Sequence, residues 1–263
     1  MIPAAGPVAV SLIRNVLGGP TRSVSMSLYY AGTTYSVGIP ATGLLKFSDF
    51  KNLSGRTYPP VGLTSVAGSS TAYGTGQTIT GQPYGNGVYQ TLHSTKYLNP
   101  TDFGGWRLFQ NSSVNFWGND GTPAQPVGGQ YYYDATTGYA KRSSFVGTAY
   151  MGEYAIMHMP VAMCPTKFRL FNRDGAANPY NRSPLAFRAY GSNDGSSWTL
   201  LYANEAHSPS AGSTYTEGWF TFTAGQRYRY FGIIINRVKT IMPDSDLSFN
   251  IGQLQLWGTN ETI

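Results

Sequence analysis

Few side chains in this sequence have the type and spacing that catalysis requires. The 263 residues include twelve Asp and Glu, three His and one Cys. Glycoside hydrolysis needs two positioned carboxylates, but turn motifs account for most of these acids. Asp194 lies in a predicted hairpin turn, Asp174 in the turn NRDG, and Asp244 and Asp246 in the loop MPDSD. Glu153, at the start of GEYAIMHM, then stands alone, so the sequence predicts no carboxylate pair.

The histidines and the cysteine also lack the spacing of a catalytic or metal site. His93, His158 and His207 are far apart in sequence, and none belongs to an HExxH pair. Cys164 lies in the apolar run MHMPVAMCPTKF without a nearby histidine, which predicts a small buried side chain. No GxSxG, P-loop or GxGxxG motif is present. We therefore expect a protein that is not an enzyme and holds no cofactor or metal.

Two loop segments combine rings with polar groups, as sugar-binding sites do. Aromatic faces pack on sugar rings, while Arg, Asn and Asp make directional hydrogen bonds to hydroxyls. The segments are FWGND and NRDGAANPYNRS. The residues that we predict to bind carbohydrate are Trp117, Asn119, Asp120, Arg173, Asp174, Asn178, Tyr180, Asn181 and Arg182. The alternative is that both segments are ordinary polar loops. The remaining tryptophans, Trp106, Trp198, Trp219 and Trp257, are predicted to lie in the core.

Short strands must position these loops. Only 11% of the residues are charged, against roughly 25% in an average soluble domain, and 14% are aromatic. Segments such as TKFRLFNR, LAFRAYGS, YRYFGIIINRV and FNIGQLQLWG recur between Gly, Pro, Asn and Asp clusters. This spacing is typical of a β-sandwich, and stretches with helical periodicity are scarce. The sequence predicts an all-β fold.

The chain divides into three predicted parts. Residues 1–55 form a small module with one short helix, which begins at Ser11 and ends at Gly18. Residues 56–87 are rich in Gly, Ser, Thr and Pro and are either a linker or edge strands. Residues 88–263 contain the sandwich.

One hairpin carries a family resemblance. In FRAYGSNDGSSWTLLYAN, residues 187–204, Asn193 to Gly195 are predicted to form the turn, and Trp198 to be buried between the sheets. This segment resembles the discoidin family, also called coagulation factor 5/8 type C, of galactose-binding-like domains. The resemblance implies a jelly-roll β-sandwich whose loops at one end bind ligands.

Residues 1–55 resemble an attachment module of tailed-bacteriophage tail and fibre proteins, through SLIRNVLG, SVSMSL and LLKFSDF. This resemblance implies a virion tail, baseplate or fibre component that is assembled in the host cytoplasm. Its partners would be other virion proteins, further copies of itself, as in trimeric fibres, and host-surface glycan. The alternatives are a free carbohydrate-binding module or lectin, and a capsid decoration protein.

Charge and hydropathy restrict the partners further. The net charge of +6 comes from scattered Lys and Arg, whereas a nucleic-acid footprint needs them clustered. The start of the chain, MIPAAGPVAVSLIRNVLGG, lacks the positive charge and apolar run of a signal peptide. No stretch has the length and apolarity of a membrane span. The sequence predicts neither nucleic-acid binding nor membrane insertion.

Overall fold

A computed structural model gives the architecture of the chain. It describes residues 56–64, 73–82, 84–94, 104–111, 117–118, 133–134, 136–141, 145–146, 148–173, 183–208, 218–222, 225–238 and 249–259. The predicted attachment module, residues 1–55, lies outside the described residues. Nothing described bears on its helix or on its resemblance to phage proteins.

The described residues form ten strands and one 3-10 helix. The strands are β1 (Arg56–Tyr58), β2 (Gln77–Ile79), β3 (Gly87–His93), β4 (Trp117–Gly118), β5 (Glu153–Asn172), β6 (Pro184–Ser192), β7 (Thr199–Asn204), β8 (Phe220–Thr221), β9 (Tyr228–Val238) and β10 (Asn250–Thr259). The helix is Gly105–Phe109. The prediction of an all-β fold is confirmed. Within the described part, no helix is long and apolar enough to cross a membrane.

Strand β5 joins two antiparallel sheets. Its first part, Glu153–His158, pairs with β3 and β9, and β9 continues to β6 and then β7. Its second part, from Cys164 to Asn172, pairs with β10 on one side and with β8 on the other. Pro160 lies between the two paired parts, where its missing N–H costs no ladder hydrogen bond. We call β3-β5-β9-β6-β7 the first sheet and β1-β10-β5-β8 the second sheet.

The two sheets pack face to face. Phe168 on the second sheet meets Phe187 and Phe231 of the first sheet, each at a ring-centroid distance of 6.2 Å. Side chains alternate along β5 and β10, because successive residues of a strand point to opposite faces. Leu254 and Leu256 are buried like Phe168, whereas Gln255 between them is partly exposed. The predicted sandwich is therefore confirmed.

The segment between residues 56 and 87 contributes strands to these sheets where it is described. Strand β1 pairs with β10, with Thr57 opposite Trp257, and β2 pairs with β3. Tyr58 is 1% exposed and belongs to the core. Strands β1 and β2 therefore belong to the sheets, and the division of the chain at residues 55 and 87 stays a prediction.

A second apolar cluster covers the outer face of the first sheet. It contains Phe145, which stacks on Tyr190 at 4.7 Å, and Ile156 and Ile234 from β5 and β9. Trp198 packs here, edge to face with Phe145 at 4.8 Å. The prediction that Trp198 is buried between the sheets is wrong. The segment around Phe145 gives the outer face an apolar cover, and Trp198 is half-buried beneath it.

The predicted hairpin turn is confirmed. Strands β6 and β7 are antiparallel neighbours, and Gly195 has φ +72, a left-handed conformation that glycine adopts without strain. The Asp194 carboxylate accepts hydrogen bonds from the backbone N–H groups of Ser196 and Ser197, at 2.8 and 2.7 Å. These bonds hold the pKa of Asp194 well below its usual range. Cys164 is fully buried, as predicted.

Candidate functional site

The strand register brings the two predicted sugar-binding segments to one end of the sandwich. On β10, Ile251 has Trp117 of β4 as its partner on one side and Asn172 of β5 on the other. The segments FWGND and NRDGAANPYNRS therefore include the ends of two strands, β4 and β5, that flank β10. Ser183 donates a hydrogen bond to Oδ1 of Asn172 at 2.9 Å, across the base of the second segment. The side chains of the following predicted residues lie outside the described residues: Asn119, Asp120, Asp174, Asn178, Tyr180, Asn181 and Arg182.

The structure describes the other two predicted site residues. Trp117 is fully buried, and its ring packs edge to face on Phe249 at 4.6 Å. Its indole belongs to the core because β4 pairs with the start of β10, so the prediction that this ring contacts a sugar needs correction. Arg173 is half-buried and directly follows the end of β5.

Two tryptophans that the sequence places in the core are instead accessible. Trp219 is 38% exposed and Trp257 is half-buried, with their ring centroids 6.0 Å apart. Trp106 is 5% exposed and lies in the core as predicted. Trp257 follows Leu254 and Leu256, which point inward, so strand alternation sends its ring outward. The alternating apolar residues in IGQLQLWG are the signal in the sequence that indicates this orientation.

Two cations lie against these tryptophans. The Nζ of Lys167 is 4.4 Å from the ring centroid of Trp219 and 5.4 Å from that of Trp257. The guanidinium carbon of Arg169 is 4.6 Å from the Trp219 centroid, and Arg169 Nε donates a hydrogen bond to Gln255 Oε1 at 2.8 Å. The register explains these contacts, because Lys167 is opposite Trp257 and Arg169 is opposite Gln255. We call the following set the tryptophan–cation surface: Lys167, Arg169, Phe171, Trp219, Gln255 and Trp257.

The tryptophan–cation surface is positively charged in the described part of the chain. Partial burial, and then the nearby charge of Arg169, lower the pKa of Lys167. The four carboxylates that the structure describes have other partners. Asp134 pairs with Lys141 and Glu205 with Arg188. Glu153 accepts a hydrogen bond from Ser94, and Asp194 accepts those of the hairpin turn. Neither cation of the surface has a described carboxylate as its partner.

The arrangement combines apolar ring surface with donors on a paired β-sheet. Cation–π contacts hold the ammonium and the guanidinium against the rings, and each such contact is worth about 0.5–1 kcal/mol at an exposed site. A sugar ring has apolar C–H faces and polar hydroxyls, which match ring surface and donors respectively. The described residues contain no group of three metal-ligating side chains. The rings and donors of the surface are groups that hold a ligand by ring contact and hydrogen bonding.

A groove of about 460 Å³ lies at the edge strand β7 of the first sheet. Leu200 and Tyr202 of β7 line it, together with Gly225, Gln226 and Tyr228. These side chains include no carboxylate, histidine or cation. The described side chains that line the groove therefore include no acid–base pair.

No protein-family model matches this chain, and no curated protein matches it. Its similar solved structures include chitosan-binding module 1 from a chitosanase/glucanase of Paenibacillus sp. IK-5, with 13% identity and a TM-score of 0.39 over 64% of this chain and 93% of that chain. The family 32 carbohydrate-binding module of C. perfringens NanJ, solved with galactose, has 8% identity and a TM-score of 0.41 over 64% and 93%. A further family 32 module from Clostridium perfringens, solved with GalNAc-β-1,3-galactose, has 10% identity and a TM-score of 0.41 over 64% and 94%. These three solved structures are chitosan-binding or carbohydrate-binding modules.

Proposed function

We propose that this protein binds carbohydrate, without catalysis, through the tryptophan–cation surface. The observation that carries the proposal is the position of Trp219 and Trp257, side by side on the outer face of the second sheet, with Lys167 and Arg169 against them. Exposed aromatic side chains that are grouped with hydrogen-bond donors are typical of binding sites.

The scaffold supports this function because the binding groups need little ordering. Lys167 and Arg169 come from β5, Gln255 and Trp257 from β10, and the two strands are paired in register. Trp219 directly precedes β8, which pairs with β5 on its other side. Groups fixed on paired strands lose less conformational entropy on binding than groups on free loops.

The expected affinity of one site is low. A hydrogen bond to a charged group contributes about 1.5–3 kcal/mol, and ordering the ligand offsets part of that gain. Several copies on one particle or oligomer would raise the avidity. The predicted virion location, the phage partners and the oligomeric state depend on residues 1–55, and they stay predictions.

Loss of the two accessible tryptophans should weaken polysaccharide binding strongly. On an array of neutral and acidic polysaccharides, the wild-type protein is expected to bind at least one, and the Trp219→Ala, Trp257→Ala double variant to bind it at least tenfold more weakly, about 1.4 kcal/mol. Tyr139→Ala is the matched control, because Tyr139 is 45% exposed and also lies beneath a cation, Arg237 at 4.9 Å. Equal binding by wild type and double variant, or no binding by wild type, would contradict the proposal.

The loop end of the sandwich is a second candidate site for the same ligand class. The specific observation in its favour is that Trp117 and Asn172 are the partners of Ile251 on the two sides of β10, so one strand separates the two predicted segments there. If the sugar binds there, the Arg173→Ala, Arg182→Ala double variant should lose polysaccharide binding and the tryptophan double variant should retain it. The reverse result would assign the sugar to the tryptophan–cation surface.

A further inference from the structure

The two cations of the tryptophan–cation surface form a closely spaced pair on one strand. Lys167 and Arg169 are two residues apart on the outer side of β5, so their backbone positions are separated by roughly 7 Å. The four described carboxylates all interact elsewhere. The pair therefore presents two positive charges that no described acid neutralises.

Contacts within the surface fix both charged groups in place. Lys167 Nζ lies against both indoles, and Arg169 is held by Trp219 and by its Nε hydrogen bond to Gln255. The other guanidinium donors are on the terminal nitrogens, whose geometry suits the two oxygens of a carboxylate or a sulfate. The bound group that best complements this pair is an anion.

The binding groups extend along β5 rather than around a single point. Phe171 continues the outward row of Lys167 and Arg169, and Arg169 also lies over the Phe171 ring at 4.8 Å. This row is about 13 Å long, and it is flanked by Trp257 on β10 and by Trp219, which directly precedes β8. An elongated surface of this kind contacts several consecutive sugar units rather than one terminal sugar.

We infer that the ligand of the tryptophan–cation surface is an extended acidic polysaccharide whose carboxylate or sulfate groups pair with Lys167 and Arg169. This inference rests on the proposed function and specifies the ligand class of the same site. Sugar C–H groups contact the exposed indole surface while the anionic groups contact the two cations.

Matched pairs of polysaccharides test the charge preference. Polygalacturonate is compared with its methyl ester, and dextran sulfate with dextran, by affinity electrophoresis of the full chain. The protein is expected to bind at least one acidic member at least tenfold more tightly than its neutral counterpart, and the preference should shrink as salt is raised. The two pairs distinguish carboxylate from sulfate as the preferred anion.

A double variant tests whether the two cations cause the preference. Lys167→Gln, Arg169→Gln should reduce affinity for the preferred acidic polymer at least tenfold and affinity for its neutral counterpart by a smaller factor, so that the acidic preference is lost. The control Lys141→Gln, Arg188→Gln removes the same number of charges at sites paired with Asp134 and Glu205, and should leave the preference intact. Circular dichroism and thermal melting establish that each variant is folded.

Several outcomes would overturn the inference. Equal binding of the acidic and neutral members would refute it while leaving the proposed function standing, whereas binding of no polysaccharide would refute both. If the control variant loses as much affinity for the acidic polymer, the preference comes from the net charge of the protein rather than from this surface. Tighter binding of single-stranded DNA than of either acidic polymer would assign the surface to nucleic acid. Equal affinity for the preferred acidic sugar as a monomer and as a tetramer would contradict the extended ligand.

Discussion

Replacing Phe168 by alanine is expected to lower the free energy of unfolding by about 3–5 kcal/mol, the range for removing a buried aromatic ring from a core. Phe168 is fully buried on β5 and stacks on Phe222 at 5.1 Å. It also meets Phe187 and Phe231 of the first sheet. The variant leaves a cavity between the two sheets. Neither sheet can move to close this cavity, because the strand pairing within each sheet fixes its position.

Urea denaturation of wild type and variant, followed by circular dichroism, measures this loss. The matched control is Phe171→Ala, on the same strand but on the outer, partly exposed side. Because its ring lies outside the sandwich core, the control should lose less than about 1 kcal/mol. Similar losses for both variants would mean that β5 does not present opposite faces to core and solvent.

Replacing Gly258 by alanine is expected to destabilise the second sheet by about 2 kcal/mol or more, in the upper range for overpacking. A Cβ at this position would overlap the backbone carbonyl of Cys164 and the Cε of Met163. The carbonyl is a backbone group of β5, the strand paired with β10, so it cannot move aside by rotation of a side chain. The β5–β10 pairing must therefore shift, and the neighbouring Trp257 would shift with it.

Thermal melting and polysaccharide binding of the Gly258→Ala variant measure both consequences. Gly225→Ala is the control, because a Cβ there meets no atom within 4 Å and the backbone does not have a positive φ. The control should change the melting temperature little. A Gly258→Ala variant as stable as the control would show that the strands are not as close here as the structure has them.

The periodicity of single segments was enough to predict the fold class. In LAFRAYGS and IGQLQLWG, polar and apolar residues alternate, and Asn193 to Gly195 supply turn chemistry between two such segments. These signals are local, since they depend on residues next to one another. The all-β sandwich, its hairpin between β6 and β7, and the buried Cys164 could be inferred in this way.

The tryptophans show that the local sequence pattern does not determine which rings are buried and which are accessible. Trp117, predicted at a binding loop, is buried, whereas Trp219 and Trp257, predicted in the core, are accessible. Trp198, predicted between the two sheets, packs on the outer face of the first sheet. The two-residue alternation of apolar and polar residues in the sequence separates the two sides of a strand. Which of these sides packs on a second sheet depends on segments distant in sequence.

The candidate site itself was decided by tertiary structure. Arg169 and Gln255, which share a hydrogen bond, are 86 positions apart in sequence, and Lys167 meets Trp219 only because β5 and β8 pair. The sequence determined that rings and cations alternate with core residues on separate strands. The register between those strands then set which ring faces which cation, because a shift of one residue would send each of these side chains to the opposite face of its sheet.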